Sequence, residues 1–350
     1  MSTLSSPLAS TPSAAEDDRA GRVVDLVLRA RTLGILVAIV VLVVVTDLIQ
    51  PRFLSGQNIR YMLGDSTVYV LVGIGATFVI LTRNIDLSVG SVVGLSAYVS
   101  ANVFQTHHGV PIPIVFLVGL GVGLACGAVT GLIVTVARVP SLVVTLGMLY
   151  VIRGVDTLVA GFGQVVANSL PNGFVNIFSA NVVGVPDLAF VAAGATLLAA
   201  VYLRSMRSGR ELYAIGSDPE AARRVGIKIG RRVFSTFVLS GALAGLAGVV
   251  WATQFNTIDA TAATGLELQV VAAVVVGGVA IFGGSGSVVG ASLGALLLQM
   301  INVALNVLGI PSLWTEAIAG LLLLLAISLD RGIQYRLGRV LRRRRVHAND

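Results

Sequence analysis

Long apolar runs recur along almost the whole chain, and each is long enough to cross a membrane. A helix of about 17–25 apolar residues spans the hydrocarbon core of a bilayer. Only 12% of the residues are charged, while 55% are hydrophobic. The sequence therefore predicts an all-α, polytopic membrane protein with about ten transmembrane helices. The predicted spans are approximately 33–49, 62–82, 87–104, 111–136, 141–160, 187–203, 233–252, 267–283, 286–307 and 314–330.

The distribution of cations predicts the orientation in the membrane. Eight of the 24 Lys and Arg residues lie in one polar island, residues 204–232. Most others flank the first and last spans. Cations beside spans mark the cytosolic side, so both termini and the 204–232 loop are predicted to be cytosolic. The basic tail is interpreted as a contact with anionic lipid and not as a nucleic-acid site. The flanking cations are Arg19, Arg22, Arg29, Arg31, Arg331, Arg336, Arg339 and Arg342 to Arg345.

Three parts follow from this pattern. Residues 1–32 are predicted to form a cytosolic, disordered and basic tail, because Ser, Pro and Ala dominate its beginning. Residues 33–330 are predicted to form the transmembrane domain, which contains the 204–232 loop. Residues 331–350 form a basic cytosolic tail. The first apolar run lacks a small-residue cleavage site, so we expect it to be retained as a signal anchor.

Two pairs of predicted spans are joined by very short connections, 62–82 with 87–104 and 267–283 with 286–307. One of these segments is therefore a candidate for a broken or re-entrant helix. The sequence Gly-Ser-Val-Val-Gly opens the second member of each pair, at 90–94 and again at 286–290. The echo predicts an internal repeat of the kind found in transporters. Chance similarity in a chain rich in Gly and Val is the alternative.

Glycines also recur at every fourth position. Small residues at this spacing share one helix face and let two helix backbones approach closely. They predict a tight bundle and carry no information about a substrate. The glycines are Gly119, Gly123, Gly127, Gly131, Gly286, Gly290 and Gly294, with Gly241 and Gly245 in a further span.

Polar residues within the spans are the candidates for a substrate pathway, because burying them in a membrane is costly. Each also has a structural interpretation. Asp86 and Ser88 stand where helix N-caps stand, and the others can join helices. Arg153 and Asp156 are three residues apart and are predicted to form a structural ion pair. The pathway candidates are Asn84, Asp86, Ser88, Glu267, Asn302 and Asn306.

Enzymatic motifs are missing from the sequence. Lys228 is the only lysine and no G-x-x-x-x-G-K-[ST] motif occurs, so the chain has no Walker A site of its own. His107, His108 and His347 do not make a metal site, and Cys126 is the only cysteine. These features indicate a transport subunit that draws its energy from an ion gradient or from a separate ATPase.

Four segments, in order, resemble the permeases of ribose/xylose-type ATP-binding cassette importers. Residues 78–91 read FVILTRNIDLSVGS, which is similar to the family's FVILTGGIDLSVGS. Residues 140–148, PSLVVTLGM, are similar to its PPFIATLGM segment. Residues 209–227 resemble its cytosolic coupling segment, and residues 267–290 its late glycine-rich signature. One departure stands out, because Arg83-Asn84 replaces the usual Gly-Gly.

The resemblance implies a bacterial inner-membrane permease that imports a pentose- or hexose-like monosaccharide. It implies a second permease copy or homologue, a cytosolic ATPase docked on the 204–232 loop and a periplasmic or extracellular sugar-binding protein. ATP and Mg would be bound by the ATPase, and this chain would bind no cofactor. The implied ATPase-coupling residues are Arg210, Asp218, Glu220, Ala221, Ala222 and Gly226.

Two alternatives are left open by the residues alone. One is a related permease for another small polar solute, such as a branched amino acid, a nucleoside or a sugar-like quorum signal. The other is an ion-coupled secondary transporter, which needs dedicated carboxylates in the membrane. Asp86, Asp156 and Glu267 are few for that purpose.

Overall fold

Helices dominate the described part of the chain. The computed structural model describes residues 33–107, 109–137, 139–161, 163–255, 257–311 and 313–328. Short antiparallel pairs join β1 (Val165–Val166) to β4 (Thr257–Ile258) and β2 (Asn181–Val182) to β3 (Val185–Pro186). The helices are α1 (Leu33–Ile49), α2 (Gly56–Leu81), α3 (Val89–Thr106), α4 (Ile112–Ala137), α5 (Ser141–Ala160), α6 (Asn172–Ser179), α7 (Asp187–Ser205), α8 (Arg207–Ser217), α9 (Pro219–Arg224), α10 (Ile229–Gln254), α11 (Leu266–Val276), α12 (Val288–Val307) and α13 (Leu313–Ser328).

The all-α, polytopic membrane class is confirmed. Six of the described helices are long and apolar enough to cross a membrane: α2, α4, α5, α7, α10 and α12. Helices α1, α11 and α13 are shorter apolar helices. The count of ten spans stays a prediction. The predicted tails, 1–32 and 331–350, lie outside the described residues, as do the flanking cations within them.

The predicted continuous span over 267–283 is wrong. Helix α11 has 11 residues, so it is about 16 Å long and too short for a hydrocarbon core of about 30 Å. The chain leaves the helix because Gly278, Gly283 and Gly284 have φ values of +88°, +81° and +74°. A right-handed helix cannot accommodate such values. The broken segment of the two short-connected pairs is therefore α11 with the loop 277–287.

Helices α2, α10 and α12 form the centre of the bundle. In their most apolar stretches, 94% of α2 and 67% of each of α10 and α12 is buried, against 22% for α4 and α5 and 17% for α7. The outer helices therefore keep apolar faces for lipid or for a partner. Helix α2 begins at Gly56, six residues before the predicted span, because Ser55 Oγ accepts the backbone N–H of Asn58 at 3.3 Å.

Glycines set the closest helix crossing, between α4 and α10. A Cβ added at Gly241 would lie 2.7 Å from Gly127 Cα, and a Cβ at Gly123 would lie 2.8 Å from Gly245 Cα. Real Cβ atoms do not approach backbone atoms so closely, so only glycine fits. Gly131 faces Phe237 in the same crossing, while Gly119 faces Ser96 and Ser100 of α3 together with Val249 of α10.

A second close contact joins α12 to the end of α11. A Cβ at Gly294 would overlap Ala273 O, and one at Gly290 would overlap Gly277 O. Gly286 differs from the prediction, because it precedes the helix, has a φ of +144° and packs against Val279 in the loop. It contributes to loop packing and not to a helix face.

The two polar breaks, residues 82–88 and 277–287, lie on the same face of the bundle as α8 and α9. We call this the loop face. Gly284 N–H donates to Leu81 O at 3.0 Å, which joins the second break to the end of α2, immediately before the first break. The cations of the 204–232 loop predict that the loop face lies in the cytosol, and this orientation stays a prediction. Gly90 is the second residue of α3, whereas Gly286 precedes α12 by two residues, so the echoed sequences are not in equivalent positions. The internal repeat stays a prediction.

Candidate functional site

Two short helices, α8 and α9, occupy the basic loop. Asp218 separates them and caps α9, because its Oδ1 accepts the backbone N–H groups of Glu220 at 2.9 Å and Ala221 at 3.1 Å. Pro219 follows at the first helical position, where its missing N–H costs nothing. After Arg224 the chain passes through Gly226, whose φ of +82° ends the helix.

One attachment of the loop to the bundle lies at the end of α8. We call it the joint and define it as Leu81, Arg83, Gly216, Ser217 and Gly284. Arg83 Nε donates to Gly216 O at 2.5 Å, and its Nη2 donates to Ser217 O at 2.6 Å. These carbonyls end α8, where the helix dipole favours a cation. A Cβ at Gly216 would lie 2.8 Å from Gly284 Cα and would overlap Leu81 O. The end of α8 and both breaks therefore meet in direct contact.

Arg83 also accounts for the departure from the family signature. Its φ is +65°, in the left-handed region that glycine adopts without strain. An arginine there costs about 1 kcal/mol or more in backbone strain. Its hydrogen bonds to the end of α8 offset this cost. The backbone at this position therefore has a conformation that suits the family's usual glycine. The arginine side chain adds hydrogen bonds that hold the end of α8 against the first break.

The implied coupling residues divide into exposed and internal ones. Ala222 is only 3% exposed, so its methyl group is covered by the chain itself, and its role in coupling stays a prediction. Ala221 and Glu220 are exposed on α9. Arg210 Nη1 donates to Ser205 O at 2.9 Å and so closes the end of α7. Asp218 and Gly226 shape α9 as described above.

Glu211 ties α8 to α10. Its carboxylate accepts from Arg232 Nε at 2.5 Å and from Arg207 Nε at 3.0 Å. The hydrogen bond from Arg232, followed by the charges nearby, holds the pKa of Glu211 below its usual value. The pair keeps α8 anchored at a second place, some distance along the helix from the joint.

Asp86 is buried at the end of the first break. Its Oδ1 accepts the N–H of Ser88 at 3.0 Å and the Oγ–H of Ser88 at 2.6 Å, and its Oδ2 accepts from Ser240 Oγ at 3.0 Å. Ser88 occupies the N-cap position of α3, but its side chain makes no capping bond. Side-chain capping of α3 by these two residues is therefore wrong. Asp86 instead fastens the break to α10.

Asp86→Ala removes the acceptor of three hydrogen bonds and leaves buried hydroxyls unpaired. We therefore expect the free energy of unfolding to fall by about 1–3 kcal/mol and the amount of protein in the membrane to fall with it. Asp86→Asn keeps an oxygen for Ser88 and an amide for Ser240, so near-normal levels and uptake are expected. Immunoblots of membranes and solute uptake by cells are the measurements. Lost uptake in Asp86→Asn at a normal membrane level would show that the negative charge itself is needed.

A cavity of about 680 Å³ opens beside α5 and α11. Arg153 lines this cavity. Its Nη1 lies 3.6 Å from Asp156 Oδ2, so the predicted ion pair is confirmed. The same guanidinium donates to Ala262 O at 2.7 Å. Gly94 makes room for it, because a Cβ there would lie 2.7 Å from Arg153 Nη1. Glu267 also lines this cavity, within the first turn of α11.

A smaller cavity of about 290 Å³, which we call the outer chamber, lies at the opposite end of the bundle from the loop face. Asp65 is its central acid and accepts hydrogen bonds from the side-chain amides of Gln254 and Gln299. Asn302 Nδ2 donates to Gln299 Oε1 at 3.3 Å. The lining residues are Tyr61, Asp65, Tyr69, Phe255, Gln269, Gln299, Asn302, Asn306, Thr315 and Glu316.

The pathway candidates are not gathered in one site. Asn84 lies at the loop face, beside a cavity of about 770 Å³. Asp86 and Ser88 are buried between α3 and α10. Glu267 faces the cavity beside α5, and Asn302 and Asn306 line the outer chamber.

Sequence reasoning missed Asp65 and the two glutamines. Asp65 is the only acidic residue of α2, and Gln254 and Gln299 lie 189 and 234 positions away from it along the chain. That same signal, a lone acid in a long apolar helix, could have pointed to Asp65.

A bundle of apolar helices with buried polar chambers and a two-helix basic loop defines a polytopic permease of the bacterial inner membrane. Residues 58–327 match the family described as branched-chain amino acid transport system / permease component, and the chain belongs to this family. It is the transmembrane permease subunit of an ATP-binding cassette importer. No solved structure matched the chain.

The relatives share most of their length with this chain. The autoinducer 2 import system permease protein LsrC of Enterobacter sp. (strain 638) is 36% identical over 89% of this chain and 90% of its own length. Its counterpart from Salmonella typhimurium is 36% identical over 89% and 88%. That of Escherichia coli (strain K12 / DH10B) is 34% identical over 90% and 91%. The resemblance to sugar-type importer permeases is thereby confirmed.

Proposed function

We propose that this permease imports a small neutral, sugar-like solute and that a separate cytosolic ATPase drives it. The ATPase docks on the 204–232 loop and binds ATP and Mg, while this chain binds no cofactor and hydrolyses nothing. A binding protein delivers the solute to the outer face. A second permease copy or homologue completes the membrane unit, and the basic tails contact lipid and not nucleic acid.

The joint is the observation that carries the proposal. A docked ATPase can move the bundle only if its contact helix is firmly attached to the membrane helices. Arg83 and Gly284 give α8 that attachment, and they link it to both polar breaks at once. Asp86 extends the link from the first break to Ser240 of α10. A push on α8 and α9 thus reaches α2, α3, α10 and α12.

Helix α9 is the proposed contact element. Glu220, Ala221, Arg223 and Arg224 are exposed on it, and Val225 is 73% exposed directly after it. An exposed apolar side chain among charges suits a partner groove. Membership of the importer family argues against an ion-coupled mechanism. Two of the three acids considered for it also have structural partners, because Asp86 accepts from serine hydroxyls and Asp156 faces Arg153.

The solute class follows from the relatives. The closely related proteins above are named for autoinducer 2 import, whereas the family description names branched-chain amino acids. We propose a sugar-like solute such as autoinducer 2 for this chain, because the similarity to those relatives covers about nine tenths of both chains.

Ala221→Trp tests the docking element, because it adds bulk on the exposed side of α9 without touching the bundle. We expect normal insertion, loss of most of the co-purifying ATPase and at least a tenfold loss of uptake, as expected for a blocked interface core. Asn172→Trp adds the same bulk on the opposite face and should retain the ATPase. Full retention of the ATPase by Ala221→Trp would remove α9 from the docking surface.

A further inference from the structure

The outer chamber lies where a solute arriving from outside first meets the bundle. It is lined by the outer ends of α2, α11, α12 and α13 and by Phe255 after α10. Its volume of about 290 Å³ is at the lower end of ligand pockets. A solute of a few hydroxyl-bearing carbons suits this size better than a drug-sized molecule does.

The charges of the lining select against anions. Asp65 and Glu316 are its acids, and no Lys or Arg is among the lining residues that the structure describes. A carboxylate or phosphate entering the chamber would meet like charge without a cation to receive it. A free amino acid carries such a carboxylate, whereas a neutral polyol does not.

Several polar atoms at the chamber have no hydrogen-bond partner among the residues that the structure describes. Gln269 Oε1 and Thr315 Oγ1 are buried and unpaired, and so is Gln254 Oε1 beside Asp65. The Thr315 residue is only 5% exposed. A buried acceptor without a donor costs about 1–3 kcal/mol, so such atoms call for a ligand that brings donors. Hydroxyl groups supply them, and they also accept from the amides of Asn302 and Asn306.

We propose that the outer chamber is a substrate-binding subsite for a neutral, polyhydroxylated solute. The hydroxyls of the solute donate to Gln269 Oε1 and Thr315 Oγ1. They also accept hydrogen bonds from the side-chain amides of Asn302 and Asn306. Gln254 and Gln299 hold the Asp65 carboxylate in place as a further acceptor. The inference rests on the proposed function and deepens it, since it assigns sugar-like selectivity to named residues.

Thr315→Val and Gln269→Leu test the subsite in transport, because each keeps the side-chain volume nearly unchanged and removes one unpaired acceptor. Each lost neutral hydrogen bond should raise the KM for autoinducer 2 uptake roughly fivefold, with the ATPase still co-purifying. Thr77→Val is the matched control, because Thr77 is buried in α2 but bonds only within its helix, to Gly73 O. Unchanged KM values in both variants, with active wild type, would overturn the subsite and leave the proposed function standing.

A labelling measurement tests the chamber without any transport. Asn306 is exposed at the chamber, so Asn306→Cys in a Cys126→Ala background should react with an outside maleimide. We expect D-ribose or autoinducer 2 to slow the reaction severalfold and L-leucine not to. Equal rates with and without these solutes, or protection by L-leucine alone, would contradict the subsite even if the chain proves inactive in transport.

Discussion

Gly123→Ala is expected to remove most of the folded protein from the membrane, whereas Gly121→Ala, two residues away on α4, should leave its level unchanged. The added Cβ at Gly123 would lie 2.8 Å from Gly245 Cα and would overlap Gly241 O, while a Cβ at Gly121 meets nothing within 4 Å. Both opposing groups are backbone, so the helices can relieve the overlap only by moving apart. The expected cost is about 3 kcal/mol.

The comparison is made by quantifying monodisperse protein in detergent after equal expression. Gly121→Ala controls for the general effect of replacing a helical glycine, which by propensity alone favours the helix by about 1 kcal/mol. Equal yields of the two variants would mean that α4 and α10 do not cross at these glycines.

Gly216→Ala is expected to abolish uptake while the protein still inserts. Its Cβ would enter the joint, 2.8 Å from Gly284 Cα and in overlap with Leu81 O, so the end of α8 must leave both breaks. Leu81 is the last residue of α2, so the added Cβ acts at the end of this helix and not along its apolar length. We expect uptake to fall at least tenfold, which corresponds to a coupling free energy of about 1.4 kcal/mol lost at the joint. The ATPase rate should no longer respond to solute.

Gly230→Ala is the matched control for the joint. It lies in the first turn of α10 on the same face, and a Cβ there meets nothing within 4 Å. Its uptake and its solute-stimulated ATPase rate should equal those of the wild type. Wild-type uptake by Gly216→Ala would contradict the mechanical role of the joint.

The sequence was sufficient to predict the helical class and most helix positions. The length of an apolar run can be read from the local sequence. The N-caps Ser55 and Asp218 are also local signals, because each bonds to backbone N–H groups within the next three residues. The break after α11 was not predicted as such, because Val274 to Ile281 is apolar throughout except for two glycines. The positive φ values that end the helix depend on the packing of the loop against α8 and α12.

Contacts between distant segments escaped prediction for a different reason. Arg83 lies 133 positions from the carbonyl group of Gly216 that it binds, and neither segment has a sequence pattern that predicts contact with the other. The resemblance implied that Ala222 is a coupling residue, but it did not predict that this side chain is buried. Its burial depends on tertiary packing, which the composition of the loop does not encode.

The most direct test of the central claim is uptake into proteoliposomes that contain this permease together with the ATPase and binding protein encoded beside its gene. We expect autoinducer 2 to accumulate only when ATP and Mg are supplied on the ATPase side, and L-leucine to be neither taken up nor competitive. Accumulation driven by a proton gradient in the absence of the ATPase, or ATP-driven uptake of L-leucine but not of autoinducer 2, would contradict the account.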